Sequence, residues 1–221
     1  MAEKYGEIPK KFTKKWWEYF WDYYKVHTIA ILAIIIAVIV TIYQAVTAPQ
    51  YEFNAFYAGE YDIPYENAEA LRLKMSEFVT DSNGDGKDGV ALNRISFNEN
   101  TEDSQVMYAS ITKMQLEVTD KNTILYIFDD SKAQYYVGNP TMEGVFLEVK
   151  EWLFEDISDD RLYMADEKAC AVSLKGSKFL EELGIDSENL YIAVRNHNEE
   201  IDEEMQEKIA DAKNIANAII K

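Results

Sequence analysis

The chain has 221 residues, of which 40 are acidic and 22 basic, giving a formal net charge of −18, and it contains one cysteine. Most of the acidic excess falls in residues 51–221, where it repels nucleic acid and no basic patch offers a footprint. One cysteine excludes an internal disulfide, the usual staple of small secreted eukaryotic domains, and fits a bacterial extracytoplasmic domain better.

The N-terminal segment is basic and aromatic. Lys4, Lys10, Lys11, Lys14, Lys15 and Lys25 precede the first long apolar run, and Phe12, Trp16, Phe20 and Tyr24 recur every four residues among other rings. That spacing puts the four rings on one helical stripe, and aromatic side chains favour the headgroup layer of a bilayer. Residues 1–25 therefore read as a cytoplasmic and interfacial segment, helical from about residue 10. Its bland role is to fix tilt and depth; its sharper role is to dock another membrane protein.

From Val26 to Gln50 there is no Asp, Glu, Lys or Arg. About 20 apolar helical residues span a hydrocarbon core roughly 30 Å thick, and backbone groups in lipid must bond internally. Residues 26–48 are predicted to be a transmembrane helix, with Thr41 bonding back to its own backbone. A cleaved signal peptide is the rival, since Val46 and Ala48 are small. The run is longer than the roughly 7–15 residues of such a peptide, however, and Pro49 would follow the cut. The first basic residue after the run is Arg72. Lysines stay cytoplasmic, so residues 51–221 are expected outside the cell membrane.

Residues 51–221 hold enough chain for one domain with its own core. Strands are expected at Tyr51–Tyr57, Val90–Phe97, Thr123–Phe128, Arg161–Met164, Cys170–Leu174 and Leu190–Arg195. Helices are expected at 64–79, Ser104–Val118, Glu143–Phe154, Lys178–Leu183 and Asn198–Lys221. The run at Thr123–Phe128 is apolar throughout, as in a strand covered on both faces. In Glu143–Phe154, the residues Val145, Val149, Trp152 and Leu153 would face inward. Strands alternating with helices predict an α/β (or α+β) domain with a central mixed sheet.

One loop has chemistry written into it. Asp81, Asn83 and Asp85 place side-chain oxygens at alternate positions, Gly86 permits a sharp turn, and the Lys87 carbonyl adds an oxygen. This matches the first half of an EF-hand loop. It departs at position twelve, which is Leu92 where a Glu is expected, and Asp88 or a distant acid would have to substitute. The loop resembles the Asp-x-Asn-x-Asp-Gly calcium loops of bacterial extracellular proteins, which implies a structural Ca²⁺. Asp, Asn and Gly also favour plain turns, and that reading stays open.

No catalytic residue is assigned. His27 lies at the membrane edge and His197 follows a strand. Asp129-Asp130, and Glu155-Asp156 with Asp159-Asp160, are carboxylate pairs of the kind that do acid–base work, or else solvated surface. Cys170 reads as part of a buried strand.

Trp21-Asp22-Tyr23-Tyr24-Lys25-Val26-His27, Tyr57-Ala58-Gly59 and Asn83-Gly84-Asp85-Gly86-Lys87 together resemble single-pass membrane proteins of Gram-positive, clostridial-type bacteria. That resemblance implies the topology and no particular activity. Leu116 to Asp130 is similar to the helix–strand segment of extracellular solute-binding proteins, and the domain has room for one of their two lobes. The expectation is a membrane-anchored extracytoplasmic binding or accessory module. Its partners would be the lipid bilayer and a membrane protein, extracellular protein or small solute. The alternative is a cell-surface hydrolase acting on wall or peptide material.

Overall fold

The computed structural model describes residues 9–47, 51–81, 89–98, 104–155, 157–165, 167–197 and 201–221. The chain divides into two units, residues 1–49 and 50–221.

The first unit is a single helix, α1 (Lys14–Thr47). The aromatic stretch and the apolar run form one unbroken helix, as expected of a helix at residues 10–25 that runs into the span. It starts where the Thr13 hydroxyl accepts the Trp16 N–H at 3.3 Å. Thr41 donates its hydroxyl to the Ala37 carbonyl at 2.9 Å, so its polar group is satisfied within the helix as expected. Ile29, Ile34, Val38, Ile42 and Tyr43 project outward and are exposed around the helix. By length and composition, α1 can cross a membrane.

The second unit is built on a six-stranded mixed sheet. Its strands are β1 (Phe53–Gly59), β2 (Val90–Ser96), β3 (Thr123–Asp129), β4 (Leu162–Ala165), β5 (Lys168–Ser173) and β6 (Leu190–Val194), in spatial order β2-β1-β3-β6-β5-β4. β1 runs parallel to both β2 and β3, while β3–β6, β6–β5 and β5–β4 are antiparallel. Helix α2 (Tyr65–Ser76) links β1 to β2, and α3 (Ser104–Thr119) carries the chain back past β1 to β3.

The side chains of β3 alternate between two cores. Leu125 and Ile127 enter one with Leu71 and Met75 of α2, and Tyr126 and Phe128 enter the other with Met114 and Val118 of α3. The crossovers run in opposite directions along the sheet and cover opposite faces, as two connections of the same hand must. The first core is completed by Phe179 and Leu180 of α5 (Lys178–Glu182) and by Ile215 and Ile219 of α6 (Glu203–Ile220). The second includes Ala133 and Tyr136 of α4 (Asp130–Tyr136), which the sequence pattern did not reveal. Thr123 to Phe128 are all buried, which matches the expectation from their apolar run.

The helix expected at Glu143–Phe154 is not formed. Gly144 takes φ 81°, outside the helical region. Phe146 forms an antiparallel bridge with Arg195, and the Leu147 N–H donates to the Val194 carbonyl at 2.9 Å. One 3-10 turn, Val149–Glu151, follows. Val149 and Trp152 still point into the core, because a short extended stretch and a turn meet the same inward spacing. The backbone groups at the end of β6 needed a partner, and this segment supplies it.

Asn217 on α6 holds the end of that segment. Its amide donates to the Trp152 carbonyl at 2.8 Å, and its oxygen accepts the Phe154 N–H at 2.9 Å. Asn217→Ala should strand both backbone groups and cost about 1–3 kcal/mol. Thermal melts of the full chain in detergent, read by circular dichroism, measure that loss.

Candidate functional site

The connections at the carboxyl ends of β1 and β3 leave the sheet toward opposite faces. After β1 the chain turns through Glu60-Tyr61-Asp62 into α2; after β3 it turns at Asp129 into α4. Open α/β sheets form crevices where neighbouring connections diverge in this way. Here the crevice has a volume of about 590 Å³, and Tyr57, Glu60, Asp62, Asp129, Asp130 and Asp186 are among the residues that line it.

Asp129 ties its two lips together. One carboxylate oxygen accepts the backbone N–H of Glu60. The other accepts the Lys132 N–H at 2.9 Å, capping α4, and the Ser131 hydroxyl at 3.0 Å. Asp62 pairs with Arg94 at 2.8 Å, and Arg94 also donates to the Ile63 carbonyl. Glu60 accepts from the Asn98 amide.

Tyr57 is buried below this rim. Its hydroxyl donates to the Tyr61 carbonyl at 2.7 Å. Burial, then the charges of Asp129 and Asp62, push its pKa up to about 12, with Arg94 opposing. A Cβ at Gly59 would lie 2.5 Å from the Tyr57 hydroxyl and 3.2 Å from the Tyr61 carbonyl oxygen, so the Tyr57–Tyr61 closure needs glycine there. Burial also raises the hydroxyl of Tyr191, and its hydrogen bond to Asp130 reinforces the shift.

Among the described residues, no lysine or arginine lines this crevice. Its field favours a cation or a ligand rich in hydrogen-bond donors. The carboxylates do not converge as a metal centre: among the described residues, no three Asp, Glu, His or Cys side chains group in that way.

The calcium loop expected from the sequence is described only in part. Of the proposed calcium ligands, Asp81 is described and half-buried, whereas Asn83, Asp85, Lys87 and Asp88 lie outside the described residues. Both ends of their loop are held. Asp211 on α6, itself buried, accepts the Thr80 N–H at 2.8 Å and the Thr80 hydroxyl at 3.0 Å. At the other end, the Gly89 carbonyl accepts the N–H groups of Glu52 and Phe53 at 3.0 and 3.2 Å, and Val90 donates its N–H to the Ser76 hydroxyl at 3.2 Å. Sequence reasoning missed Asp211; its clue was an acid set against Ala212 and Ile215 on the apolar side of a helix.

Asp129 and Asp130 belong to the crevice. Glu155 instead pairs with Lys221 at 3.0 Å, Asp156 lies outside the described residues, and Asp159 and Asp160 sit exposed on a 3-10 turn. His197 lines a cleft of about 280 Å³ with Lys121, Glu143 and Arg195. Arg195 is committed to the fold, donating to the Val118 carbonyl at 2.6 Å and the Tyr126 hydroxyl at 2.9 Å. Cys170 is buried in β5, and burial pushes its thiol up, away from the nucleophilic thiolate.

The Tyr57 shift has a consequence at high pH. The folded chain keeps this proton to about pH 12, whereas an ordinary tyrosine releases it near pH 10.0. Its contribution is complete below about pH 10 and is lost as pH rises through 12. Tyr57→Phe should cost about 1 kcal/mol at neutral pH, from the lost hydrogen bond, and should flatten the decline in melting temperature between pH 10 and 12. A melting series across that range tests both effects.

Comparison with protein-family models, with curated proteins and with solved structures finds no match to this chain.

Proposed function

We propose that the chain is a single-pass membrane protein whose α/β domain lies outside the cell and works as a binding or accessory module. The observation that carries this reading is α1, a helix with apolar side chains exposed around its whole circumference. In water such a surface is unfavourable at roughly 25 cal/mol per Å². In lipid it is at home. Orientation rests on the lysines before the apolar run. Resistance of the protein to carbonate extraction, and loss of residues 51–221 to protease added outside intact cells, are the expected results. Release of the protein by carbonate would end the reading.

Binding is favoured over chemistry by the crevice at the ends of β1 and β3. It joins tyrosines to carboxylates that already hold backbone groups or ion pairs, an arrangement suited to gripping a donor-rich ligand. The hydrolase reading draws on the cleft that brings His197 near Glu143, but among the described residues no Ser, Thr or Cys lines that cleft.

Ca²⁺ belongs to the same proposal as a structural ion. The alternating oxygens of Asp81, Asn83 and Asp85 support it, as does the fastening of the loop's two ends by Asp211, Ser76 and the backbone of Glu52. Extracellular sites of this kind bind at about 10⁻⁴–10⁻³ M. At a Kd of about 1 mM, 10 mM Ca²⁺ should stabilise the full chain by about 1.4 kcal/mol. Asp85→Ala should abolish both that shift and the calorimetric heat of Ca²⁺ binding. A wild-type melt indifferent to Ca²⁺ and chelator would leave the loop a plain turn.

A further inference from the structure

The N-terminal half of α1 is two-sided, although its apolar half is not. At about 100° per residue, Lys14, Lys15, Glu18, Asp22 and Lys25 fall within one arc of about 100°, and the rings between Trp16 and Tyr24 fill the rest. The rings support one another. Phe12 meets Trp16 at 5.4 Å, Trp16 stacks on Phe20 at 5.5 Å, and Phe20 on Tyr24 at 5.7 Å. Trp17 and Trp21 remain 52% and 54% exposed. The rings thus form one continuous aromatic face along the helix.

Resting on the membrane reading of α1, we infer that residues 10–25 bind anionic phospholipid headgroups of the inner leaflet. Charge selects the occupant. Lys10, Lys11, Lys14 and Lys15 concentrate positive charge at one end of a chain whose net charge is −18. Chemistry agrees, because indole N–H and phenol O–H groups on apolar rings suit a layer that is wet on one side and oily on the other. The face also continues directly into the apolar run of the same helix. A partner helix is a poorer fit. Helix interfaces in membranes favour small residues that let backbones approach, and this segment carries bulky rings beside a charged row.

Three of the four tryptophans, Trp16, Trp17 and Trp21, report on this segment, and Trp152, 1% exposed in the other unit, gives a constant background. The full chain is reconstituted into phosphatidylcholine vesicles containing equal mole fractions of either brominated phosphatidylglycerol or brominated phosphatidylcholine. The anionic quencher should be preferred by at least about fivefold, the preference that a single lysine contact confers. Replacing Lys10, Lys11, Lys14 and Lys15 by Gln should bring the ratio to about one while the protein stays in the carbonate pellet. Equal quenching of the wild-type protein by the two lipids overturns the inference. So does quenching by aqueous acrylamide and by neither lipid, which would place the ring face in water and away from the headgroups. Loss of the chain from the pellet refutes the membrane reading itself, and the lipid site falls with it.

Discussion

A strand buried on both faces is the constraint from which the domain follows. Thr123 to Phe128 have no water on either side. Their backbone groups must find strand neighbours, and their side chains must find a layer above and a layer below. β1 and β6 supply the neighbours. α2 and α6 cover one face, and α3 and α4 the other. Once helices lie on both faces, the chain must leave adjacent strands in opposite directions, and a crevice opens between the departures. The candidate site is thus a by-product of how the sheet is covered.

The parts of this arrangement written locally were legible. The six strands and the helices α2, α3, α5 and α6 announce themselves by period or by unbroken apolar runs, and each was expected within a few residues of where it lies. α4 was hidden because it is short and its start depends on Asp129, a residue that ends the preceding strand. The segment Glu143–Phe154 was misread because its apolar spacing satisfies a helix and a strand-then-turn equally. The choice was made by open backbone groups on β6, about fifty residues away in sequence.

The crevice was the least legible feature. Glu60 and Asp129 are separated by 69 positions, and nothing near either one points to the other. Asp129-Asp130 did stand out as a carboxylate pair at a strand end, but its partner loop did not. Asp211 was silent for the same reason: its role is to fasten Thr80, 131 positions earlier. Helices and strands are local contracts, whereas sites are agreements between distant stretches, made only after the fold has formed.

The Asp129 clasp has a mechanical meaning. One carboxylate holds the backbone of the β1 exit and the first turn of α4 at once. A force on either jaw is transmitted to the other through two short bonds and no flexible joint. The two chain exits are thereby coupled like the arms of a caliper, and the width between them is set by one side chain.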